Sequence, residues 1–392
     1  MKNSHPKPVR TIEQDLLLTV SRPDIGGSNQ QIERLLSKDL DWDYLLATAD
    51  RHGVIPLLYG RLNSGCAEVP SHIMARLRDQ ILKISKTNLA LTGELLKFLD
   101  CLEAEGIEAI PFKGPALALQ AYGDLGSRQF TDLDILIRKQ DFWRVNELLG
   151  ERGFHSEPSL SRRQQSSLVR YDCSLPFVND RGIVLDVHWN FAPRYSSFDI
   201  ETEPLWDRLE PITIGNKQCA TFSAADLLLI LCIHGFTHLW ERIGWISDVA
   251  AVLNSQKGVD WDLLKRNAEA LGTQRVVALG LLLAGELLHA QVPEEICRSM
   301  PADSAVKTVA EQVKQQLFAE RISTRGVRSE LRLYFRMKDR RRDQIKTYLR
   351  LLATPRTNDW MAVSLPRSLF FLYYPLRPLR LAAKFSAAWF RV

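Results

Sequence analysis

Asp132 and Asp134 stand one residue apart at the head of the apolar run Asp-Leu-Asp-Ile-Leu-Ile, and they are the residues best suited to chemistry. In an extended strand, residues i and i+2 project from the same face, so both carboxylates would point together while Leu133 and Ile135 pack behind them. Two like charges held so close repel each other unless a cation lies between them. The pair therefore predicts a divalent-metal clamp, although Asp-x-Asp also occurs in solvent-exposed turns.

A third carboxylate would complete a site for phosphoryl or nucleotidyl transfer, in which carboxylates hold one or two Mg²⁺ ions about 4 Å apart. Asp186 is the best candidate, because residues 183–189 form a second run that alternates between apolar and polar side chains. It would bind the metal that activates the attacking hydroxyl, or it would take the hydroxyl proton. The alternative interpretation is a surface carboxylate at the end of a strand.

Lys113 and Gly114 precede the aspartate pair at a predicted junction between a strand and a helix. At such a junction, backbone N–H groups and the helix dipole attract phosphate, and a glycine permits close approach. Lys113 or Arg128 would then neutralise the charge of a triphosphate. Alternatively, Lys113 pairs with a carboxylate of the site, and Arg128 braces the loop before Asp132.

His188, His234 and His238 are candidate substrate-binding residues. His234 and His238 stand at i and i+4 on one helix face, a spacing that can bind zinc, but Gly235 follows where a metalloprotease helix has Glu. Packing between domains, or contact with nucleotide or acceptor, is the preferred interpretation of this pair. His188 would orient the third carboxylate or a substrate, or would form a half-buried structural pair with its neighbour Trp189.

Hydrophobic periodicity predicts an α+β fold, with a small mixed β-sheet flanked by N-terminal and C-terminal helical regions. The predicted strands cover residues 107–112, 133–137, 171–178 and 182–188. The predicted helices cover residues 11–20, 29–46, 56–62, 70–105, 115–122 and 141–152, and the pattern is helical again after residue 204. The predicted segments are an N-terminal helical region at 1–105, an α/β catalytic module at 106–200, a helical domain at 201–322 and a basic, aromatic C-terminal helical region at 323–392.

Composition indicates a globular protein of more than one core, since 392 residues exceed a typical single domain. Its 51 basic and 46 acidic residues give a net charge of only +5, which does not by itself indicate a nucleic-acid partner. Six scattered cysteines without a C-x-x-C pair fit a reducing, cytoplasmic compartment. The first ten residues lack the apolar core of a secretory signal, and no run approaches the roughly 20 apolar residues that span a bilayer.

The C-terminal tail is basic and aromatic. Residues 336–350 are strongly basic, and residues 364–392 combine seven aromatic and five basic side chains with no acidic one. A solvated helix face, or packing across a domain, is the usual outcome for such a sequence. The alternative is contact with the acceptor or with an anionic membrane surface, which would place the protein at the inner face of the membrane.

The order strand, Lys113-Gly114, helix, Arg128, Asp132-x-Asp134, strand and Asp186-x-His-Trp resembles a bacterial family of nucleotidyltransferases within the polymerase β-like superfamily. The similarity extends to residues 41–42, 51–54, 234–248 and 359–380, so it covers most of the chain. In that superfamily a Gly-Ser pair usually opens the helix, whereas this chain has Lys-Gly. Asp186 stands where relatives often have Glu, a residue whose longer side chain also ligates metal.

The resemblance implies an enzyme that uses Mg²⁺ or Mn²⁺ to transfer NMP from an NTP to a hydroxyl-bearing small molecule, peptide or protein, with release of pyrophosphate. The implied roles are metal binding and catalysis for Asp132, Asp134 and Asp186, and nucleotide phosphate binding for Lys113, Gly114 and Arg128. The main rival is a catalytically silent protein of the same fold that docks on a membrane or a protein partner. A nucleic-acid polymerase is disfavoured by the near-neutral charge.

Overall fold

The computed structural model describes residues 10–23, 28–64, 69–196, 198, 200–255, 258–300, 303–319, 333–363 and 365–389. The helices of its first half are α1 (Ile12–Val20), α2 (Ser28–Leu36), α3 (Trp42–Arg51), α4 (Ile55–Asn63), α5 (Ser71–Ala104), α6 (Gly114–Leu117) with a π-helical turn (Ala118–Tyr122), α7 (Phe142–Glu151) and α8 (Arg162–Tyr171). Those of the second half are α9 (Glu203–Trp206), α10 (Ala224–Thr237), α11 (Ile243–Leu253), α12 (Trp261–Leu271), α13 (Gln274–Leu288), α14 (Glu294–Ser299), α15 (Ser304–Gln316), α16 (Arg341–Ala353), α17 (Thr357–Ala362) and α18 (Tyr373–Trp389). The strands are β1 (Ala109–Pro111), β2 (Asp132–Ile137), β3 (Phe154–Ser156), β4 (Ser174–Asn179), β5 (Val184–His188), β6 (Glu210–Ile214) and β7 (Lys217–Thr221).

A five-stranded mixed sheet in the order β1-β2-β5-β4-β3 forms the centre of the molecule. Strands β2 and β5 run parallel, and the other neighbours in this sheet are antiparallel. The apolar side chains of β2, such as Ile135 and Leu136, are fully buried. The predicted α+β class, a small mixed sheet flanked by helices, is confirmed.

Two hydrophobic cores hold the chain together, and α5 contributes to both of them. Ile73 and Leu77 near its start pack with α1–α4 and with α10–α15 in one core, whereas Leu91, Leu95 and Leu99 pack against the sheet. At about 1.5 Å rise per residue, a helix of this length spans roughly 50 Å. The helix therefore links the sheet to the helical part of the molecule, while the segment boundaries at residues 105, 200 and 322 stay predictions.

The structure differs from the sequence prediction in four places. One is α8, a helix that was not predicted and that includes Tyr171, the first residue of the strand predicted over residues 171–178. The helix predicted over residues 29–46 is two helices, α2 and α3, because the Asp41 carboxylate accepts the Tyr44 N–H at 2.9 Å and so begins a new helix. Strand β3 was not predicted, and the hairpin β6–β7 occupies residues where the pattern was taken as helical. This hairpin packs on the sheet, where the Thr221 hydroxyl donates to the carbonyl of Pro111 at 3.0 Å. Such a long-range contact leaves no local sequence signal.

Five described cysteines, namely Cys101, Cys173, Cys219, Cys232 and Cys297, carry free thiols. Cys66 and Phe390, which the sequence interpretation included, lie outside the described residues. Within the described ranges, no helix combines the length and the apolar character needed to cross a bilayer.

Candidate functional site

The carboxylates of β2 and β5 meet at the centre of the sheet. The parallel register pairs Asp134 with Asp186 and Leu136 with His188. Because alternate residues of a strand share a face, Asp134, Asp186 and His188 project to the same side. One candidate ligand atom from each of these three residues lies within 4.8 Å of the other two, and in the described part of the chain no other such group is found.

The Asp134 carboxylate lies in a nearly closed environment, since only 4% of its side chain is exposed. Lys113 Nζ lies 3.0 Å from its Oδ1, and His188 Nε2 lies 3.1 Å from the same atom. Burial opposes ionisation, but these two cations hold the pKa of Asp134 well below its usual range. The contact of Lys113 with Asp134 is the alternative that the sequence left open, in which the lysine pairs with a site carboxylate.

His188 connects the two central carboxylates. Its Nε2 also lies 3.0 Å from Oδ2 of Asp186, and its Nδ1 is 3.4 Å from the carbonyl oxygen of Asn190. Burial disfavours the charged ring, yet Asp186 and Asp134 raise the pKa of His188 to about 9. A pKa in this range favours the charged ring, in which Nε2–H faces Asp134 and Nδ1–H faces the carbonyl of Asn190.

One carboxylate oxygen of Asp186 accepts a hydrogen bond, and the other has no hydrogen-bond partner. Its Oδ2 accepts from the Ser174 hydroxyl at 3.3 Å, whereas its Oδ1 is buried and has no hydrogen-bond partner. A buried carboxylate oxygen without a partner is costly, because it has lost water and gained nothing in return. Carboxylate oxygens are the ligands that Mg²⁺ prefers, so Asp134 and Asp186 fit a divalent cation.

Asp132 lies at the edge of this arrangement. It is more exposed than Asp134, and it does not belong to the compact ligand group. Desolvation, followed by the negative charge of Asp134, raises its pKa. The sequence predicted Asp132 with Asp134 as the clamp, whereas the compact group joins Asp134 to Asp186 and His188.

Gly114 begins α6, close to where the sequence predicted the start of a helix. Its φ of +52° lies in the left-handed region, and a Cβ at this position would lie 3.3 Å from the carbonyl oxygen of Asp132. The positive φ favours glycine, and the short distance leaves little room for a Cβ. The close approach of β2 therefore accounts for this residue in terms of backbone geometry, and its contact with phosphate stays a prediction.

Arg128 lines the same cavity as the central carboxylates and pairs with Asp248 on α11. Its Nε and Nη2 donate to the two carboxylate oxygens at 2.9 Å and 3.0 Å, and the Tyr122 hydroxyl donates to Oδ1 at 2.9 Å. Burial opposes the charged guanidinium, but Asp248 raises the pKa of Arg128 further. Asn88 donates to the carbonyl of Arg128 at 2.8 Å. These contacts match the alternative interpretation, in which Arg128 braces the loop before Asp132. The sequence analysis assigned no role to its partner Asp248.

A cavity of about 700 Å³ lies over the carboxylates and reaches α10 and α11. Its far wall carries His234 and His238, whose ring centroids are 4.5 Å apart, and Trp245 at 5.4 Å and 5.3 Å from them. Burial, and then the charge of Lys113, lower the pKa of both histidines, so their rings are neutral. Among the described residues they have no third metal ligand nearby, and the zinc alternative gains no support.

The turn between α10 and α11 is held in a strained backbone conformation. Leu239 and Trp240 have φ values of 58° and 54°, in the left-handed region that side chains rarely adopt. The Trp240 indole is fully buried and packs against Gly235 and Gly280. The buried indole fixes the path of the chain between His238 and Trp245, which both face the cavity.

Gly235→Ala is expected to lower the free energy of unfolding by about 1–3 kcal/mol, the usual cost of overpacking a core. The added Cβ would lie 2.5 Å from the Trp240 ring, too close for either group to stay in place. Urea denaturation measures the effect. The control is Gly93→Ala on α5, where a Cβ meets nothing within 4 Å. A helix-interior alanine there should stabilise by about 0.5–1 kcal/mol, and equal effects at both glycines would contradict the packing argument.

Comparisons with known proteins identify a family for most of this chain. A family model described as "uncharacterised nucleotidyltransferase" matches residues 38–289. No curated protein gives a significant match. Among solved structures, the chain is similar to an antigenic nucleotidyltransferase-like protein from Paracoccidioides brasiliensis, with 15% identity and a TM-score of 0.30 over 54% of this chain and 97% of that one.

Proposed function

The chain belongs to the family of uncharacterised nucleotidyltransferases, and from this premise we propose that it transfers NMP from an NTP to a hydroxyl-bearing acceptor. The reaction would release pyrophosphate and would require Mg²⁺ or Mn²⁺. The observation that supports it most is the facing pair Asp134 and Asp186, with a buried, unpaired Oδ1 on Asp186. A polymerase β-like relationship and a cytoplasmic location are further parts of the proposal.

Asp134 and Asp186 would hold the cation, with Asp132 at the exposed side of the same face. When bound, a divalent cation neutralises phosphate charge and lowers the pKa of a coordinated hydroxyl. The three aspartates are opposed by two positive side chains, Lys113 and His188, so the site has room for added positive charge.

Lys113 is the cation of this chain best placed to meet the triphosphate. Its Nζ contacts Asp134 at the floor of the cavity, and its side chain lines that cavity. Stabilising the negative charge that develops on pyrophosphate is the kind of task that a fixed ammonium performs well. Arg128 also lines the cavity, but its Nε and Nη2 are committed to Asp248, so we assign the main phosphate contact to Lys113.

Asp186 would accept the proton of the acceptor hydroxyl as the oxygen attacks the α-phosphorus and the bond to pyrophosphate breaks. Its Oδ1 has no hydrogen-bond partner, whereas its Oδ2 accepts from the Ser174 hydroxyl. His188 would act as a positioning residue, since its Nε2 lies 3.0 Å from Oδ2 of the same carboxylate. The acceptor would enter between the carboxylates and the opposite wall, where the neutral rings of His234 and His238 offer hydrogen bonds and a flat surface beside Trp245.

Incubation with each of the four NTPs, Mg²⁺ and cell extract tests the reaction directly. We expect label to pass to an acceptor from an α-labelled NTP and not from a γ-labelled one, since nucleotidyl transfer retains only the α-phosphate. Binding of the NTP should also raise the melting temperature, by roughly the shift that about 2.7 kcal/mol produces at 100-fold excess over Kd. The Asp132→Ala/Asp134→Ala variant serves as the matched control, and transfer that persists in it would overturn the assignment of these residues.

One observation favours the alternative function, that of a catalytically silent binding protein. Lys113 and His188 both lie beside Asp134 Oδ1, so side chains of the protein oppose the charge of this carboxylate. If neither Mg²⁺ nor any NTP shifts the melting temperature of the wild-type protein, and no α-label is transferred, the rival replaces the enzyme.

A further inference from the structure

Charge is distributed very unevenly along this nearly neutral chain. Residues 333–392 contain 13 basic and 3 acidic residues, a net charge of +10. Residues 1–332 contain 38 basic and 43 acidic residues, a net charge of −5. The C-terminal part therefore carries a local positive field that the overall charge of +5 conceals.

The helix α16 presents two different faces. Its inner face is fixed to the 3₁₀ turn Arg194–Ser196 and to the chain before the helix, through a buried Thr347 whose hydroxyl reaches the carbonyl of Ser196 at 3.4 Å and through Gln344, which donates to the carbonyl of Phe335 at 3.0 Å. Its outer face points to solvent. We call this outer face the α16 face, and it consists of Arg341, Arg342, Ile345, Lys346, Tyr348 and Leu349.

The α16 face is unusually apolar for a solvent-facing surface. The side chains of Ile345, Tyr348 and Leu349 are 63%, 52% and 59% exposed. They stand at i, i+3 and i+4, so they form a single patch on the helix. Of the ten large hydrophobic side chains exposed in the described part of the chain, eight lie between residues 345 and 379. Contiguous exposed apolar surface of this kind marks a place of interaction.

We propose that the α16 face docks on the surface of an anionic lipid bilayer. A helix that carries basic and large apolar side chains on one exposed face can lie in the plane of the interface, with its alkyl and aromatic groups among the acyl chains and its guanidinium groups at lipid phosphates. Nucleic acid would use the arginines but would leave Ile345 and Leu349 in water. A second copy of the chain, paired face to face, would bring like charges together. The proposal is independent of nucleotidyl transfer.

Co-sedimentation of the full-length chain with lipid vesicles tests this docking. We expect binding to phosphatidylcholine vesicles that contain about 30% phosphatidylglycerol, a composition with a negative surface potential. Binding should fall steeply between about 0.1 M and 1 M salt, as the Debye length shrinks from about 10 Å to 3 Å. Vesicles of phosphatidylcholine alone should bind at least about 10-fold more weakly. No nucleotide is needed, so the result does not depend on catalysis.

Two double variants separate the electrostatic contribution to vesicle binding from the apolar one. Arg341→Glu/Arg342→Glu should weaken binding at least about 10-fold, at roughly fivefold for each basic residue near the surface. Acidic residues in the first turn of a helix are favourable, so these changes should leave α16 intact. Ile345→Ser/Leu349→Ser should weaken binding by a similar factor through lost insertion. The matched controls lie on α5, where Lys83→Glu/Lys86→Glu and Leu82→Ser/Leu89→Ser change side chains that are equally exposed.

Wild-type binding that the α5 variants retain and the α16 variants lose supports the proposal. Equal loss in both sets, or no preference for anionic vesicles, overturns it. Two further results would also overturn it in favour of another occupant. One is salt-dependent binding of RNA without binding to vesicles, and the other is a dimer in sedimentation velocity that Ile345→Ser/Leu349→Ser converts to a monomer.

Discussion

Asp186→Asn is expected to lower the rate of nucleotidyl transfer by about 10²- to 10³-fold, the usual effect of removing one preorganised charge from an active site. Asparagine has nearly the same shape but lacks the negative charge, and it would place an amide where the buried Oδ1 has no hydrogen-bond partner. Asp134 would keep its contacts with Lys113 and His188, so the melting temperature should change little. Titration with Mn²⁺ in the absence of nucleotide should show affinity reduced by about 10-fold or more.

Asp180→Asn is the matched control for this prediction. Asp180 lies in the turn between β4 and β5, outside both strands, and it is exposed to solvent. Asparagine is well tolerated in turns, so both the transfer rate and the Mn²⁺ affinity should stay at the wild-type values. If Asp186→Asn behaves as Asp180→Asn does, then β5 supplies no ligand, and the proposed cation site is wrong.

The sheet and the position of its carboxylates were accessible from sequence, because strand alternation is a local property. Two apolar runs, each with an acidic residue on its polar face, predicted strands close to where β2 and β5 lie. That the two strands are neighbours was inferred from the chemistry they would share. The register that sets Asp134 directly opposite Asp186 depends on parallel pairing across fifty residues, and no local pattern specifies it.

The ion-pair partners of the cationic side chains could not be predicted from the sequence in the same way. Lys113 and Arg128 were both assigned to phosphate, with structural pairing left open for each. The partner of Arg128 lies 120 residues away on α11, and the partner of Lys113 lies 21 residues away on β2. Only the tertiary structure determines which carboxylate a buried cation meets. Asp248 was included in the resemblance without a role. As one acidic residue in an apolar helix, it could have been assigned a cationic partner, since a buried charge requires one.

Asp248→Ala is expected to lower the free energy of unfolding by about 3–5 kcal/mol, the cost of leaving one member of a buried ion pair without its partner. The Arg128 and Asp248 side chains are only 14% and 4% exposed, and the Tyr122 hydroxyl would lose its acceptor at the same time. The pair links the loop before β2 to α11, so its loss should also loosen the cavity between them. Guanidinium denaturation measures the stability, and the midpoint should fall without a large change in slope.

A more exposed ion pair, at the edge of the central sheet, provides the contrast. Arg138 at the end of β2 meets Glu108 at 3.1 Å, but their side chains are 25% and 67% exposed. Glu108→Ala should therefore cost less than about 1 kcal/mol. The double variant Arg128→Met/Asp248→Leu removes both buried charges, and we expect it to be more stable than Asp248→Ala alone, because the uncompensated guanidinium is then absent. A double variant as unstable as the single one would show that shape complementarity, and not the buried charge, determines the cost at this position.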